Sequence, residues 1–219
     1  VGYYAGYSNT TGTPNDFFGY QSGYTNSTGT GNSVFGYQAF YYNTTGGNNA
    51  AFGQGSLQAN TTGNYNTAMG WRALNANTTA SYNTAVGYQA AYSNTANGIT
   101  ALGSVALYAN TTGVENVAIG GSYATYAALR FNTTGSYNTA VGAGSLANNT
   151  TASYSTAVGY QAGYAATGGS STFVGYSAGS GVTTGTQNNF FGTASGYLIT
   201  TGSKNTILGQ YNGNQGGLD

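Results

Sequence analysis

The stretch that decides the fold is Asn83-Thr84-Ala85-Val86-Gly87-Tyr88-Gln89-Ala90, because the chain keeps repeating it. A near copy, Tyr160-Gln161-Ala162-Gly163-Tyr164, follows Ala157-Val158-Gly159. Outward from Gly87 in both directions, a large apolar residue followed by Gly recurs along the whole sequence. The anchors are Gly2, Gly19, Gly36, Gly53, Gly70, Gly87, Gly103, Gly120, Gly142, Gly159, Gly175, Gly192 and Gly209. Their spacing is 17 residues, shortened to 16 twice and lengthened to 22 once, between Gly120 and Gly142.

With each anchor set as position zero, the columns have fixed characters. Position −1 is large and apolar throughout, from Val1, Phe18 and Phe35 to Phe191 and Leu208. Position −2 is apolar, most often Ala (Ala68, Ala85, Ala140, Ala157), and position +3 is small (Ala5, Ser22, Ala39, Ser56, Ala73, Ala90). Position −4 is Asn at Asn15, Asn32, Asn49, Asn66, Asn83, Asn116, Asn138, Asn188 and Asn205. Position +4 is Leu in some coils (Leu57, Leu74, Leu107, Leu146) and Gly in others (Gly6, Gly23, Gly163, Gly196). A Tyr follows those glycines (Tyr7, Tyr24, Tyr164, Tyr197), which reads as one space filled in two ways; Gly179-Ser180 and Gly213-Asn214 break the pattern near the C-terminal end.

A period of 17 is too short for a pair of helices and suits one coil of a parallel β-solenoid. The prediction is an all-β fold, a single repeat domain over 1–219 with thirteen coils. Stacked at ~4.8 Å, these make a rod of about 60 Å. Like residues then lie above one another. The −4 Asn column is expected to form a hydrogen-bonded ladder at a corner. Pro, which cannot donate to a ladder, occurs only at Pro14.

Composition narrows function. Only 3% of the 219 residues are charged: Asp16, Glu115 and Asp219 against Arg72, Arg130 and Lys204. A soluble domain ordinarily carries roughly 25%. With no His and no Cys, the chain offers neither imidazole nor thiolate chemistry, and three scattered carboxylates make a poor acid–base set. No enzyme activity, metal or cofactor is expected. Three cations cannot neutralise a phosphate backbone, so nucleic acid is not an expected partner. No apolar run nears the ~20 residues of a membrane helix, and Val1-Gly2-Tyr3-Tyr4 does not read as a signal peptide. Disorder usually accompanies high net charge and few aromatics; here net charge is zero and aromatics are 15%.

In the Ala-Val pairs before Gly, adjacent residues of a strand face opposite ways. Apolar character on both faces predicts a second chain over the outer one, unless the small Ala ladder is what faces water.

Asn83 to Ala90 resembles the repeats of trimeric autotransporter adhesin heads and of phage tail-fibre and bacterial surface-fibre shafts. The resemblance extends over essentially the whole chain. It implies a β-roll in an extracellular, cell-surface or virion fibre.

Position +7 opens an Asn-x-Ser/Thr triplet at Asn9, Asn26, Asn43, Asn60, Asn77, Asn110 and Asn149, with Asn132 joining across the insertion. This is the N-glycosylation pattern, and sugars on one edge would solubilise an uncharged rod. The other reading is a corner turn held by Thr hydroxyls along the ladder. In late coils Asn gives way to Ala166, Val182 and Ile199 while Thr persists, which favours the structural reading. A regular Thr array also raises ice binding, although adjacent Thr residues point to opposite sides of a strand.

The insertion within Gly121 to Phe131 carries Tyr123, Tyr126, Arg130 and Phe131 and reads as tolerated, or as a contact loop. The +1 aromatics (Tyr3, Tyr20, Tyr37, Trp71, Tyr88, Tyr160, Tyr176) read as a stacked ladder packing subunits, or as sugar platforms. Neither end carries a polar cap, which suggests head-to-tail stacking or a piece of a longer array. The resulting expectation is a structural subunit of an extracellular filament whose partners are further copies of itself, with glycans as possible additions. The alternative is an adhesin or tail-fibre segment that binds a surface glycan.

Overall fold

In a computed structural model, residues 1–121 and 126–213 are described. They form a β-solenoid with no helix. Its strands are β1 (Asn15–Phe18), β2 (Asn32–Phe35), β3 (Ala50–Phe52), β4 (Thr67–Met69), β5 (Thr84–Val86), β6 (Thr100–Leu102), β7 (Val117–Ile119), β8 (Thr139–Val141), β9 (Thr156–Val158), β10 (Thr172–Val174), β11 (Asn189–Phe191) and β12 (Thr206–Leu208). They pair in sequence order as one parallel sheet. The register follows the repeat: Ala68 stands opposite Ala85 and Met69 opposite Val86. Where the repeat shortens, Thr84 still meets Thr100, and across the insertion Val117 meets Thr139. The twelve strands enclose eleven complete turns rather than the thirteen coils counted from the anchors. The first anchor joins the stack through Gly19 N–H donating to Val1 O at 2.9 Å.

Each strand ends at its anchor glycine for two independent reasons. From Gly2 to Gly192 the anchors have φ between +124° and +146°, a region closed to other residues. The backbones of adjacent coils also touch there: a Cβ on Gly87 would lie 2.5 Å from Gly103 O.

Beyond the anchor the chain turns through left-handed residues that are often not glycine. Leu57, Leu74, Leu107 and Leu146 at +4 have φ of +46° to +53°. Such a conformation costs about 1–2 kcal/mol per residue. Burial offsets it, since all four are essentially inaccessible and a buried Leu gains roughly 1.5–3 kcal/mol. Their N–H groups also bond the next coil, as Leu57 N–H does to Ala73 O at 2.9 Å.

The core is a stack of three facing columns. Position −2 is buried at Ala51, Ala68, Ala85, Ala101, Ala118, Ala140 and Ala157, and +3 and +4 pack against it. The two-way filling at +4 is real, but its partner is not the neighbouring Tyr. Tyr7 and Tyr197 point into solvent. The space that Leu leaves is taken by Phe from the −2 column. Cβ atoms added to Gly23 and Gly163 would lie 2.5 Å from the rings of Phe17 and Phe173. The −2 Phe residues border glycines of two coils or of their own: partly buried Phe17 borders Gly6 and Gly23, buried Phe173 borders Gly163 and Gly179, and buried Phe190 borders Gly196. The commonest pairings are therefore Ala with Leu and Phe with Gly, whereas Val34 stands with Phe40 and Ala85 with Ala91.

The structure also settles which of each Ala-Val pair faces outward. The small −2 residue is inside and the large −1 residue is outside, so a harmless exposed Ala ladder is not what water meets.

Candidate interaction surfaces

The +7 Asn column lies inside the coil. Asn26, Asn43, Asn60, Asn77, Asn110, Asn132 and Asn149 are all buried, and only Asn9 in the first coil is exposed. Each amide is engaged: Asn60 Nδ2 donates to Asn43 Oδ1 at 2.8 Å and to Gly63 O at 3.1 Å. Asn77 Nδ2 donates in turn to Asn60 Oδ1 at 2.9 Å. A buried nitrogen with both protons committed has no room for a glycan in the folded coil. From Asn26 to Asn149 these acceptor residues form a structural ladder, while exposed Asn9 donates one bond, to Gly12 O at 2.8 Å. Asn94 belongs to the same buried column although Asn94-Thr95-Ala96 is not an acceptor triplet. The apolar residues that replace Asn late in the chain, Ala166 and Val182, are buried too.

The −4 column forms the second ladder, as its spacing predicts. Asn49 N–H and Nδ2 both donate to Asn32 Oδ1, at 3.0 and 3.2 Å, and Asn49 Oδ1 accepts from Asn66 N–H at 2.9 Å. Asn15, Asn83, Asn116, Asn138 and Asn188 each accept at Oδ1 from the next coil, and Asn205 closes the column by donating back to Asn188 Oδ1. The Thr hydroxyls form a third: Thr44, Thr61, Thr111 and Thr133 each donate to the carbonyl one coil on, at 3.0–3.1 Å. Those protons are committed to backbone rather than to ordered water.

The short coil between Gly87 and Gly103 interrupts both Asn ladders. It lacks one Thr of the corner, and Ile99 stands where the −4 Asn would be. Asn94 Nδ2 bonds Ala96 O at 2.8 Å instead of reaching back to Asn77. Asn77 Oδ1 and Asn83 Nδ2 are consequently buried without partners.

Outside, aromatic residues stack coil on coil within the chain. Phe18, Phe35 and Phe52 stack at 4.6 and 4.8 Å. Tyr20 and Tyr37 stack at 5.3 Å, and Trp71 and Tyr88 at 5.0 Å. The Tyr41 hydroxyl is pushed above its ordinary pKa, first by burial and then by the neighbouring Tyr24, Tyr42 and Tyr20. The side-chain hydrogen bond with Tyr3 raises Tyr4 in the same direction.

The −1 column is a continuous apolar stripe with no charge in it. Phe18, Phe35, Met69, Val86, Ile119, Val158 and Phe191 each remain 36–40% exposed, and Leu208 more so. Over twelve strands the stripe is roughly 53 Å long. The insertion falls between Gly120 and Tyr126, since Ala128 N–H bonds Gly120 O at 2.9 Å as other +3 residues bond their anchors. Tyr126 thereby regains the +1 column and faces Tyr160 at 6.3 Å. Tyr123 lies outside the described residues. The Arg130 guanidinium sits 5.3 Å from the Phe131 ring and 5.8 Å from the Tyr108 ring.

Among the described residues there is no cluster of three or more His, Cys, Asp or Glu side chains, and no helix long and apolar enough to cross a membrane. Comparison with protein-family models, curated proteins and solved structures finds no match to this chain.

Proposed function

We propose that this chain is a structural subunit of an extracellular fibre, assembled through its own copies and without catalytic activity. The observation that carries the reading is the exposed −1 stripe. Monomeric proteins rarely leave a contiguous apolar patch beyond a few hundred Å² in water. A strip ~53 Å long and two to three strand spacings wide covers roughly 500–750 Å², near the ~800 Å² per partner of a standard interface. The occupant that fits best is a second copy. Its apolar knobs repeat at the same coil rise, and an uncharged stripe meets its like without repulsion.

The solenoid interior supplies stiffness. Three ladders along the axis and a dry Ala/Leu core tie each coil to the next. The absence of His and Cys from the sequence supports the non-catalytic reading.

Sedimentation velocity on the wild type and on Val86→Lys/Ile119→Lys/Val158→Lys tests the assembly. The wild type is expected as dimers or larger bundles at micromolar concentration, and the triple variant as a monomer with an unchanged circular dichroism spectrum. A wild type that stays monomeric to high concentration would remove the basis for the reading.

A further inference from the structure

The two short coils share a surface feature outside the apolar stripe. Column −5 bears two stacked tyrosine pairs, Tyr65 on Tyr82 at 5.2 Å and Tyr137 on Tyr154 at 5.2 Å, with nearly parallel rings. In each pair the second tyrosine precedes a coil of 16 residues with a single Thr at its corner, Asn94-Thr95-Ala96 after Tyr82 and Ala166-Thr167-Gly168 after Tyr154. The residue that would continue the stack is Gly98 after Tyr82 and Ser170 after Tyr154. Each second ring therefore has one uncovered face, and the exposures agree. Tyr82 is 68% exposed against 53% for Tyr65, and Tyr154 is 65% against 51% for Tyr137.

Below Tyr154 the shortened corner leaves an open depression of about 630 Å³, lined by Gly168, Gly169, Ser170, Thr186 and Gln187 among others. Below Tyr82 the Glu115 side chain extends over Gly98, where any Cβ would collide with its carboxylate. Both places combine a flat ring face with hydroxyl, amide or carboxylate groups at its edge. Backbone bonds still tie both notches to the preceding coil: Gly98 N–H donates to Ser81 O at 3.2 Å and Ser170 N–H to Ser153 O at 2.9 Å. Tyr82 and Tyr154 are four coils apart, roughly 19 Å along the axis, so one extended ligand can meet both.

We propose that Tyr82 and Tyr154 are paired platforms for the pyranose rings of a neutral oligosaccharide. The axial C–H face of a sugar stacks on the bare ring while its hydroxyls bond Thr186 and Gln187 at one notch and the Glu115 carboxylate at the other. The Glu115 carboxylate disfavours an acidic glycan at the Tyr82 notch, while beyond the Tyr154 notch Lys204 follows Gln187 in the −5 column, its N–H bonding Thr186 O at 2.9 Å. Tyrosine suits the role because it offers a large rigid surface with little entropy to lose. Spacing at a multiple of the coil rise makes the two sites bivalent towards a linear polymer.

The proposal is independent of lateral assembly, because the −5 column is separate from the −1 stripe. The test is calorimetric titration of the full chain with hexasaccharides of β-1,4-linked glucose, β-1,4-linked N-acetylglucosamine and α-1,4-linked galacturonate. At least one neutral hexasaccharide is expected to bind. Tyr82→Ser/Tyr154→Ser should weaken it at least tenfold, whereas Tyr65→Ser/Tyr137→Ser, which removes the covered partner rings, should weaken it less. Should a variant fail to fold, saturation transfer from the wild-type tyrosine ring protons to the bound sugar reads the same contact. No binding of either neutral sugar, binding of the acidic sugar alone, equal binding by wild type and the Tyr82/Tyr154 variant, or no transfer would each overturn it.

Discussion

Removing the ring of Phe173 and then refilling its space from a different column tests the packing rule of the core. Phe173 is fully buried and its ring occupies the volume over Gly163 and Gly179. Phe173→Ala should cost about 3–5 kcal/mol, the usual loss for a buried Phe with its cavity. Gly179→Leu alone should also destabilise, by about 1–3 kcal/mol or more, because the new side chain enters space the ring already fills. The double variant recreates the Ala140/Leu146 pair of an earlier coil, with Leu in the left-handed conformation that Leu146 adopts at φ +46°. Its remaining penalties are the void left over Gly163 and about 1–2 kcal/mol of backbone strain. It should therefore lie within about 2–3 kcal/mol of wild type, where additivity would predict a loss of about 4–8 kcal/mol. Guanidinium unfolding gives the three free energies, and hydrogen exchange of the Ala162 and Ala178 amides locates the change. Additivity within ~0.5 kcal/mol would show that −2 and +4 do not share one volume and would refute the rule.

Further consequences follow from particular columns. Gly87→Ala should destabilise by more than the ~1–3 kcal/mol of backbone strain alone, because its Cβ would lie 2.5 Å from Gly103 O. Gly209→Ala, with φ +104° and no atom within 4 Å of its Cβ, should cost only the strain; chemical denaturation compares the two. Asn60→Ala removes two donated bonds and the one accepted from Asn77 Nδ2, which keeps only its bond to Ala80 O, and should lower stability by about 2–4 kcal/mol. Hydrogen exchange inside the rod should be fastest around Thr95 to Ile99, where Asn77 Oδ1 and Asn83 Nδ2 lack partners. Stability should be flat between about pH 5 and 9, since no His or Cys is present. The Tyr41 and Tyr4 hydroxyls have raised pKa values when folded. The folded state thus holds their protons more tightly, and stability falls as pH rises past the ordinary tyrosine value of about 10. Thermal melts across that range would show the fall, and an unchanged melt at high pH would contradict it.

The fold was legible because a solenoid repeats each local decision along its length. A single Gly87 says little, but thirteen anchors at one period specify parallel stacking, register and an inner Asn ladder. What escaped the sequence is the direction of individual side chains. The +7 Asn residues match a surface modification pattern, and nothing local says that the corner turns them inward. Only their replacement by Ala166 and Val182, residues at home in a core, pointed there. The Phe–Gly exchange was missed because its members are six residues apart in a coil and face each other only once the coil closes. Among the described residues, the twenty-five non-glycine residues at positive φ left no trace in composition, since ladder bonds and burial rather than residue preference hold them. The platforms at Tyr82 and Tyr154 become visible only when a one-residue shortening is read as a gap in a stack.

Electron cryomicroscopy of the assembled protein tests the central claim most directly, that parallel 17-residue coils stack into rods joined along their apolar outer column. The account predicts layer lines at ~4.8 Å along each rod and the Phe18-to-Leu208 column covered by density from a neighbouring copy. Dispersed single rods with that column bare, or a fibre lacking the ~4.8 Å repeat, would contradict it.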